Sequence, residues 1–411
     1  LSKDNLLKIA TINSNGVLKV FLYLQLVGQG VNVTRMKSKW LVLFIVFGLI
    51  LTACGGSSDD AAEEVVVEEE PAETLDAPAT TAAAAEPEEP AAKVCLVLDI
   101  GGLGDQGFND MAYDGYNKAL ADFNVEGTFL EPDEGGENRG ELLDLCAADG
   151  NDLVIGNGFL FAGAITEAAA NHPDVNFAIT DETFVQGENI RSMVFAEEQG
   201  SYLVGVAAAL KTTSNVVGFV GGVDIPLIHA FEAGFIQGVR SVNPDITIIS
   251  KYASVPPDFS GFNDPVKGKE IALAMYEEGA DIVYHAAGGT GIGVCQATAE
   301  ASAGGEKVWC IGVDTDQITT IGSAFPETQE YFLSSMLKQV DVAVYNAIRD
   351  VVNGDFGSGS DGGPAVIREN LASGGIDISY TGGYIDDIKD SIEAARADII
   401  SGAVTVSRER P

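Results

Sequence analysis

From Lys93 onward, short apolar runs alternate with longer stretches in which apolar residues recur at helical spacing. The runs at 94–98, 128–130, 153–156, 176–179, 190–195, 216–220, 247–252, 282–286, 307–313 and 331–336 predict strands. Between them, 138–148, 162–171, 199–211, 226–242, 265–278, 291–303 and 339–352 predict helices. Alternation on this scale calls for right-handed βαβ crossovers and parallel sheets covered on both faces, which is why the strands read as nearly continuous apolar runs. Strands in this number, with no sign of barrel closure, fit two doubly wound lobes better than one sheet.

One stretch organises the rest. VCLVLDIGGLGDQGFND, 94–110, ends an apolar run at Asp99, opens the backbone with four glycines, and leads through Phe108 and Asn109 into the helical pattern AYDGYNKALADF. In an open α/β sheet such a loop leaves the carboxyl end of a strand, where ligands bind and helix starts present unpaired N–H groups. The motif echoes along the chain as FAITDET, CIGVDTDQ and a second glycine turn, AAGGTGIGV. Each half thus offers strand-end loops of its own, and facing loops make a cleft.

The segment before Lys93 has a different character. Residues 57–92 are almost entirely Ala, Glu, Pro, Thr, Val, Asp and Ser, with one Leu and no aromatic residue. Such a composition buries too little apolar surface to offset its ordering entropy, so 54–92 is expected to be an acidic disordered tether. Met36 opens MKSKWLVLFIVFGLILTACGG, a basic start, an apolar core and a small-residue end, with an apolar run too short for the roughly 20 residues a bilayer-spanning helix needs. It resembles a bacterial lipoprotein signal, 36–53, in which LTAC places the lipid on Cys54. On that resemblance the mature protein begins at Cys54, residues 1–35 are upstream sequence translated by mistake, and the domain is held outside the cell membrane.

Charge and cysteines narrow the function classes. A formal net charge of −38 argues against a nucleic-acid partner, since phosphates would be repelled. The cysteines beyond Cys54 are Cys95, Cys146, Cys295 and Cys310. In an exported domain they allow three pairings, of which the within-lobe pairs Cys95–Cys146 and Cys295–Cys310 are favoured, and four buried thiols fit equally well. The sequence contains no CxxC, and its three histidines are far apart along the chain, so neither a metal site nor a Cys/His nucleophile is expected, and no cofactor is implied.

The candidate site residues have a shared logic. Phe108 and Phe262 sit in polar, Gly-flanked loops, QGFND and SGFND, where a core phenylalanine would be out of place. Asp99, Asp181 and Asp314 fall at predicted strand ends facing the cleft, with Asp105 and Asp316 as capping or turn residues. Gly288 and Gly289 would allow close approach of the backbone to a ligand. Lys338 lies where a strand gives way to a helix, a conspicuous place for a lysine in so acidic a chain. No GxxxxGK[ST] is present, which leaves a nucleotide-hydrolysing reading weak.

The stretches GFLFAGAITEAAANHPDVNFAITDE, FAEEQGSYLVGVAAAL, VGFVGGVDIPLIHAFEAGFIQGVRSVNPDI, GFNDPVKGKEIALAMYEEGADIVYHAAGGTGIGV, VWCIGVDTDQ and MLKQVDVAVYNAI, with the opening GGLGDQGFND, resemble the basic membrane protein (Bmp/PnrA-like) family. The resemblance runs in order over nearly all of 94–404. It implies an α/β fold of the type I periplasmic binding protein class, two doubly wound parallel-sheet lobes joined by a three-crossover hinge. The chain order then assigns 93–195 with 332–353 to the first lobe and 196–331 with 354–411 to the second. It also implies a non-enzymatic, lipid-anchored receptor of an ABC importer that binds a purine nucleoside such as adenosine, guanosine or inosine and docks on a membrane permease. Carried over residue by residue, Phe108 and Phe262 would sandwich the base, Asp181 would hold its edge, Asp314 and Lys338 the ribose hydroxyls, and Asp99 and Asn109 would hold polar groups on the first-lobe side, beside the backbone approach allowed by Gly288 and Gly289. Family members often carry Ser where this chain has Gly107, which leaves the base preference open. The same fold binding a sugar, or serving as a sensor's ectodomain partner, is the alternative; a nucleoside hydrolase would need aspartates packed as DxDxxxDD, and here they are scattered.

Overall fold

The computed structural model describes residues 7–12, 18–23, 89–185, 187–357 and 365–410. Both lobes belong to one unit, Lys8–Leu22 with Glu89–Pro411; the other, Leu1–Leu7 with Tyr23–Glu88, lies almost wholly outside the described residues. The expected signal at 36–53, Cys54 and nearly all of the tether therefore also lie outside them. Among the described residues no helix is long and apolar enough to cross a membrane.

The first lobe contains β3 (Ala92–Val97), α1 (Phe108–Asp122), β4 (Val125–Leu130), α2 (Arg139–Ala148), β5 (Leu153–Gly156), α3 (Ala162–Asn171), β6 (Asn176–Thr180) and β7 (Ile190–Phe195). Its neighbours pair in parallel in the order β7-β6-β5-β3-β4. Val94, Leu96 and Leu98 pack into one core while Cys95 and Val97 pack into another with Leu142, Leu143 and Phe161. Alternate residues of one strand thus face opposite helical layers, and an unbroken apolar run is what a strand buried on both faces requires.

The second lobe follows with α4 (Glu197–Lys211), β8 (Val216–Val223), α5 (Pro226–Val242), β9 (Thr247–Ser254), α6 (Pro265–Glu277), β10 (Ile282–Ala286), α7 (Thr290–Ala303), β11 (Trp309–Asp314) and β12 (Phe332–Lys338). Its sheet runs in the order β12-β11-β10-β8-β9. Helix α6 lies so close to α7 that a Cβ on Gly293 would sit 1.7 Å from the Pro265 carbonyl oxygen. Gly293→Ala is accordingly expected to overpack this crossing and cost about 1–3 kcal/mol in chemical denaturation.

Three crossovers join the lobes: β7 to α4, β12 to α8 (Val340–Val352), and β13 (Ala365–Glu369) to β14 (Ile376–Ile378). Here the expected division needs correction. The strand Phe332–Lys338, assigned to the first lobe from chain order, lies in the second sheet beside β11; only α8 crosses back, to pack on α1. Strand β13 then extends the first sheet beside β7, and β14 pairs with β12 before α9 (Lys389–Ile400) packs against α4. A parallel strand's neighbours are remote in sequence, so chain order alone does not say which sheet it joins.

The covalent pairing is the within-lobe one. Cys95 on β3 bonds Cys146 on α2 with Cα atoms 5.8 Å apart, and Cys295 on α7 bonds Cys310 on β11 with Cα atoms 5.5 Å apart. Residues 1–35, which carry no clear sequence pattern, contribute β1 (Leu7–Ile12) and β2 (Leu18–Tyr23); β1 pairs antiparallel with β4, Thr11 opposite Thr128.

Candidate functional site

The carboxyl ends of the parallel strands of both lobes face one shared cleft, a position that small-molecule sites favour. The first lobe contributes the loops after β3, β5 and β6, and the second the turn after β9, the loop after β10, the ends of β11 and β12 and the start of α5. Asp99, Phe108, Asn109, Asp181, Phe262, Asp314 and Lys338 all line it. Gly289 does not: the chain reaches the cleft at Gly288, with φ +54°, and then turns away into α7.

Asp181 and Asp314 occupy matching positions in the two lobes. Asp181 directly follows β6 and Asp314 closes β11, and both hold the left-handed backbone, φ +65° and +66°, that non-glycine residues seldom adopt. Such strain persists where surrounding structure enforces it, often at functional sites. The Lys338 ammonium donates to Asp181 Oδ2 at 2.6 Å, which bridges the lobes, and lies 4.0 Å from Glu197 Oε1. It also sits 5.0 Å from the Phe108 ring centre, 5.1 Å from that of Phe195 and 5.7 Å from that of Phe231. Burial pulls the Lys338 pKa down, but the carboxylates of Asp181, Glu197 and Asp314 more than offset this and hold it above the ordinary lysine value, so the ammonium stays charged. Asp181 Oδ1 is buried without a hydrogen-bond partner. An unpaired carboxylate oxygen in a cavity wall is costly unless something arrives to donate to it.

Asp314 is pushed up to about 7, chiefly by burial, which the nearby Lys338 only partly counters while Asp105, Asp181 and Glu197 add to it. Around neutrality it is therefore poised between an acceptor carboxylate and a protonated donor. The base-stacking candidates come from different lobes. Phe108 begins α1, whereas Phe262 ends a single 3-10 turn, its ring held so close to Gly222 that a Cβ there would lie 2.6 Å away. Phe159 adds an aromatic edge, 6.4 Å from Phe262 at 70° between planes.

Two expected ligand groups are already committed within the protein. Asp99 Oδ1 accepts from Arg139 Nη2 at 2.5 Å and Nε at 3.1 Å and from the Ile100 N–H at 2.8 Å. Asn109 Oδ1 accepts from the Asp99 N–H and Asn157, while its amide donates to Ile100 O and Asp105. Both line the cavity, yet their hydrogen bonds lock the 99–109 loop. Asp105 fulfils its expected capping role: its carboxylate accepts from the N–H groups of Gly107, Asn109 and Asp110, and burial pushes it up to about 6. Asp316 lies outside the lining and binds Thr381. At the rim, Gln317 Nε2 and the Thr320 hydroxyl of the second lobe both donate to the Gln106 carbonyl of the first, at 3.2 and 3.1 Å.

Sequence reasoning missed Arg139, Glu197 and the apolar wall of Leu227, Ile228 and Phe231. Glu197 and Glu198 carried a usable signal, two carboxylates opening an otherwise apolar helix, which a buried counter-charge must explain. His285, Cys295 and Cys310 approach one another within 4.8 Å, but the two sulfurs are joined in the disulfide.

Comparisons with known proteins identify the family. A family profile described as "ABC transporter substrate-binding protein PnrA-like", the Bmp family, matches residues 92–400. The "ABC transporter nucleoside-binding protein BmpA" of Lactococcus lactis is 34% identical over 322 residues, 76% of this chain and 88% of that protein. An "uncharacterized lipoprotein" of Pyrococcus abyssi is 30% identical, covering 74% and 72% of the two chains. Among solved structures, an ABC transporter solute-binding protein from Aeropyrum pernix superposes with a TM-score of 0.66 at 27% identity, over 78% of this chain and 94% of that one. The fold is the type I periplasmic binding fold that the two sheets and three crossovers describe. The chain belongs to the PnrA-like Bmp family of ABC transporter substrate-binding proteins, which are receptors and not enzymes.

Proposed function

We propose that this protein is a lipid-anchored receptor that delivers purine nucleosides to an ABC permease, tethered outside the cell membrane through Cys54. The observation that carries the reading is the cavity itself, in which phenylalanines from opposite lobes flank a group of acceptors, one of them an unpaired Asp181 oxygen, around a single buried ammonium. A nucleoside presents a flat π-face, N–H donors on the base edge and two vicinal hydroxyls. Base stacking on an aromatic contributes about 1–3 kcal/mol, and charge-assisted hydrogen bonds from hydroxyls to carboxylates are the stronger kind. The nucleoside-binding relative in Lactococcus supports the same choice. Because contacts come from both lobes, ligand stabilises the closed arrangement, the form a permease can recognise.

Calorimetric titration with adenosine, guanosine and inosine tests this directly. At least one is expected to bind at micromolar concentration or tighter while ribose and arabinose do not, and Phe262→Ala should weaken the complex by about tenfold or more through lost stacking. Failure of all three nucleosides to bind at high micromolar concentration would remove the reading.

A further inference from the structure

Behind the cleft an alternating chain of charges passes through all three lobe crossovers. Asp181 meets Lys338 at the end of β12, and Lys338 faces Glu197, the first residue after the β7 crossover. Glu197 Oε2 and Glu198 Oε2 both accept from Arg408 Nη1 at 2.7 Å, and the same nitrogen donates to the Phe195 carbonyl at 3.1 Å. Arg368, on β13 just before the third crossover, stands 4.0 Å from Glu198. The side chains of Glu197 and Lys338 are 1% and 2% exposed, so solvent screens little of that pair, while Arg408, at 36%, reaches it from the surface. Arg408 is held in place by its own segment: the Ser407 N–H donates to Gln237 Oε1 and Gln237 Nε2 donates back to Ser407 O.

Resting on the receptor reading above, we propose that Arg408 is a positioning residue for the ligand site: by binding Glu197 and Glu198 at the hinge it fixes the carboxylate that faces Lys338, and so fixes the ammonium offered to ligand. Burial pushes the Glu197 carboxyl up, and Lys338 and Arg408 are the two charges that pull it back. Without Arg408 the whole counter-charge burden of Glu197 falls on Lys338. The ammonium would then be drawn from Asp181 and the cleft toward the hinge, although Arg408 itself does not line the cleft.

The test combines ligand affinity with a ligand-free signal. Arg408→Gln is expected to weaken nucleoside binding about tenfold, while Arg408→Lys stays within about threefold, because an ammonium supplies three donors from one nitrogen to the same three acceptors. Glu197→Gln combined with Arg408→Gln should bind no more weakly than Arg408→Gln alone, since removing the carboxylate removes the pull. In the ligand-free protein the 15N signal of the Lys338 ammonium should move in Arg408→Gln and return in Arg408→Lys. Native affinity in Arg408→Gln, losses that multiply in the double variant, or a Lys338 signal that does not move would each overturn the proposal. If the wild-type protein binds no nucleoside, the receptor reading fails alone, and the ligand-free Lys338 signal still decides the role of Arg408.

Discussion

Replacing Lys338 with methionine is expected to cost about 3–5 kcal/mol of stability, because removing one partner of a buried ion pair leaves the other charge uncompensated. The stranded group is Asp181, at 5% side-chain exposure; Glu197, at 1%, loses one of its two counter-charges and keeps Arg408. Methionine nearly conserves the volume beside Phe108, Phe195 and Phe231, so the loss reports charge rather than a cavity. On the receptor reading, nucleoside affinity falls by about a hundredfold or more, the scale set by an uncompensated buried charge in a binding site. Denaturant unfolding and calorimetry measure the two effects separately. A Lys338→Met protein with native stability would mean that the buried carboxylates are protonated and the ion pair as drawn does not exist.

On the same receptor reading, nucleoside affinity is expected to rise with pH, through Asp314. Its carboxyl is held up to about 7 in the free protein, whereas two ribose hydroxyls require the ionised acceptor. Binding below pH 7 must then release a proton, and the linkage predicts a loss of about a hundredfold between pH 8 and pH 5. Stability of the free protein runs the other way. A carboxyl whose folded pKa is raised contributes stability that is fully present below the ordinary value of 3.8 and lost as pH rises through about 7. Asp314→Asn should remove the Asp314 share of both slopes and weaken binding by about two powers of ten at pH 8. Titrations in buffers of differing ionisation heat count the protons released. Release of none at pH 6 would show that Asp314 does not receive the sugar.

What was legible in the sequence follows from the physics of each element. The strands at 153–156, 190–195 and 282–286 were read with the bounds the structure has, because each is a short, mostly apolar run that is buried along its whole length. Strands β13 and β14 went unread: AVIRE and IDI are short and mark no run of their own. The cleft residues were readable because they share one local grammar, a carboxylate or glycine at a strand end followed by a helix start. Arg139 and Arg408 share none. Each is defined by a partner distant along the chain, 40 residues away for Arg139 with Asp99 and 211 for Arg408 with Glu197, and no window contains both members.

The two disulfides have a mechanical consequence. Each rivets a helix to the strand it covers, Cys95 to Cys146 in one half and Cys295 to Cys310 in the other, and neither spans the gap between the halves. Oxidation therefore stiffens each jaw while leaving the bite free. Solute can be captured and released with every sulfur bond intact, and a reducing agent would soften the jaws without unlatching them.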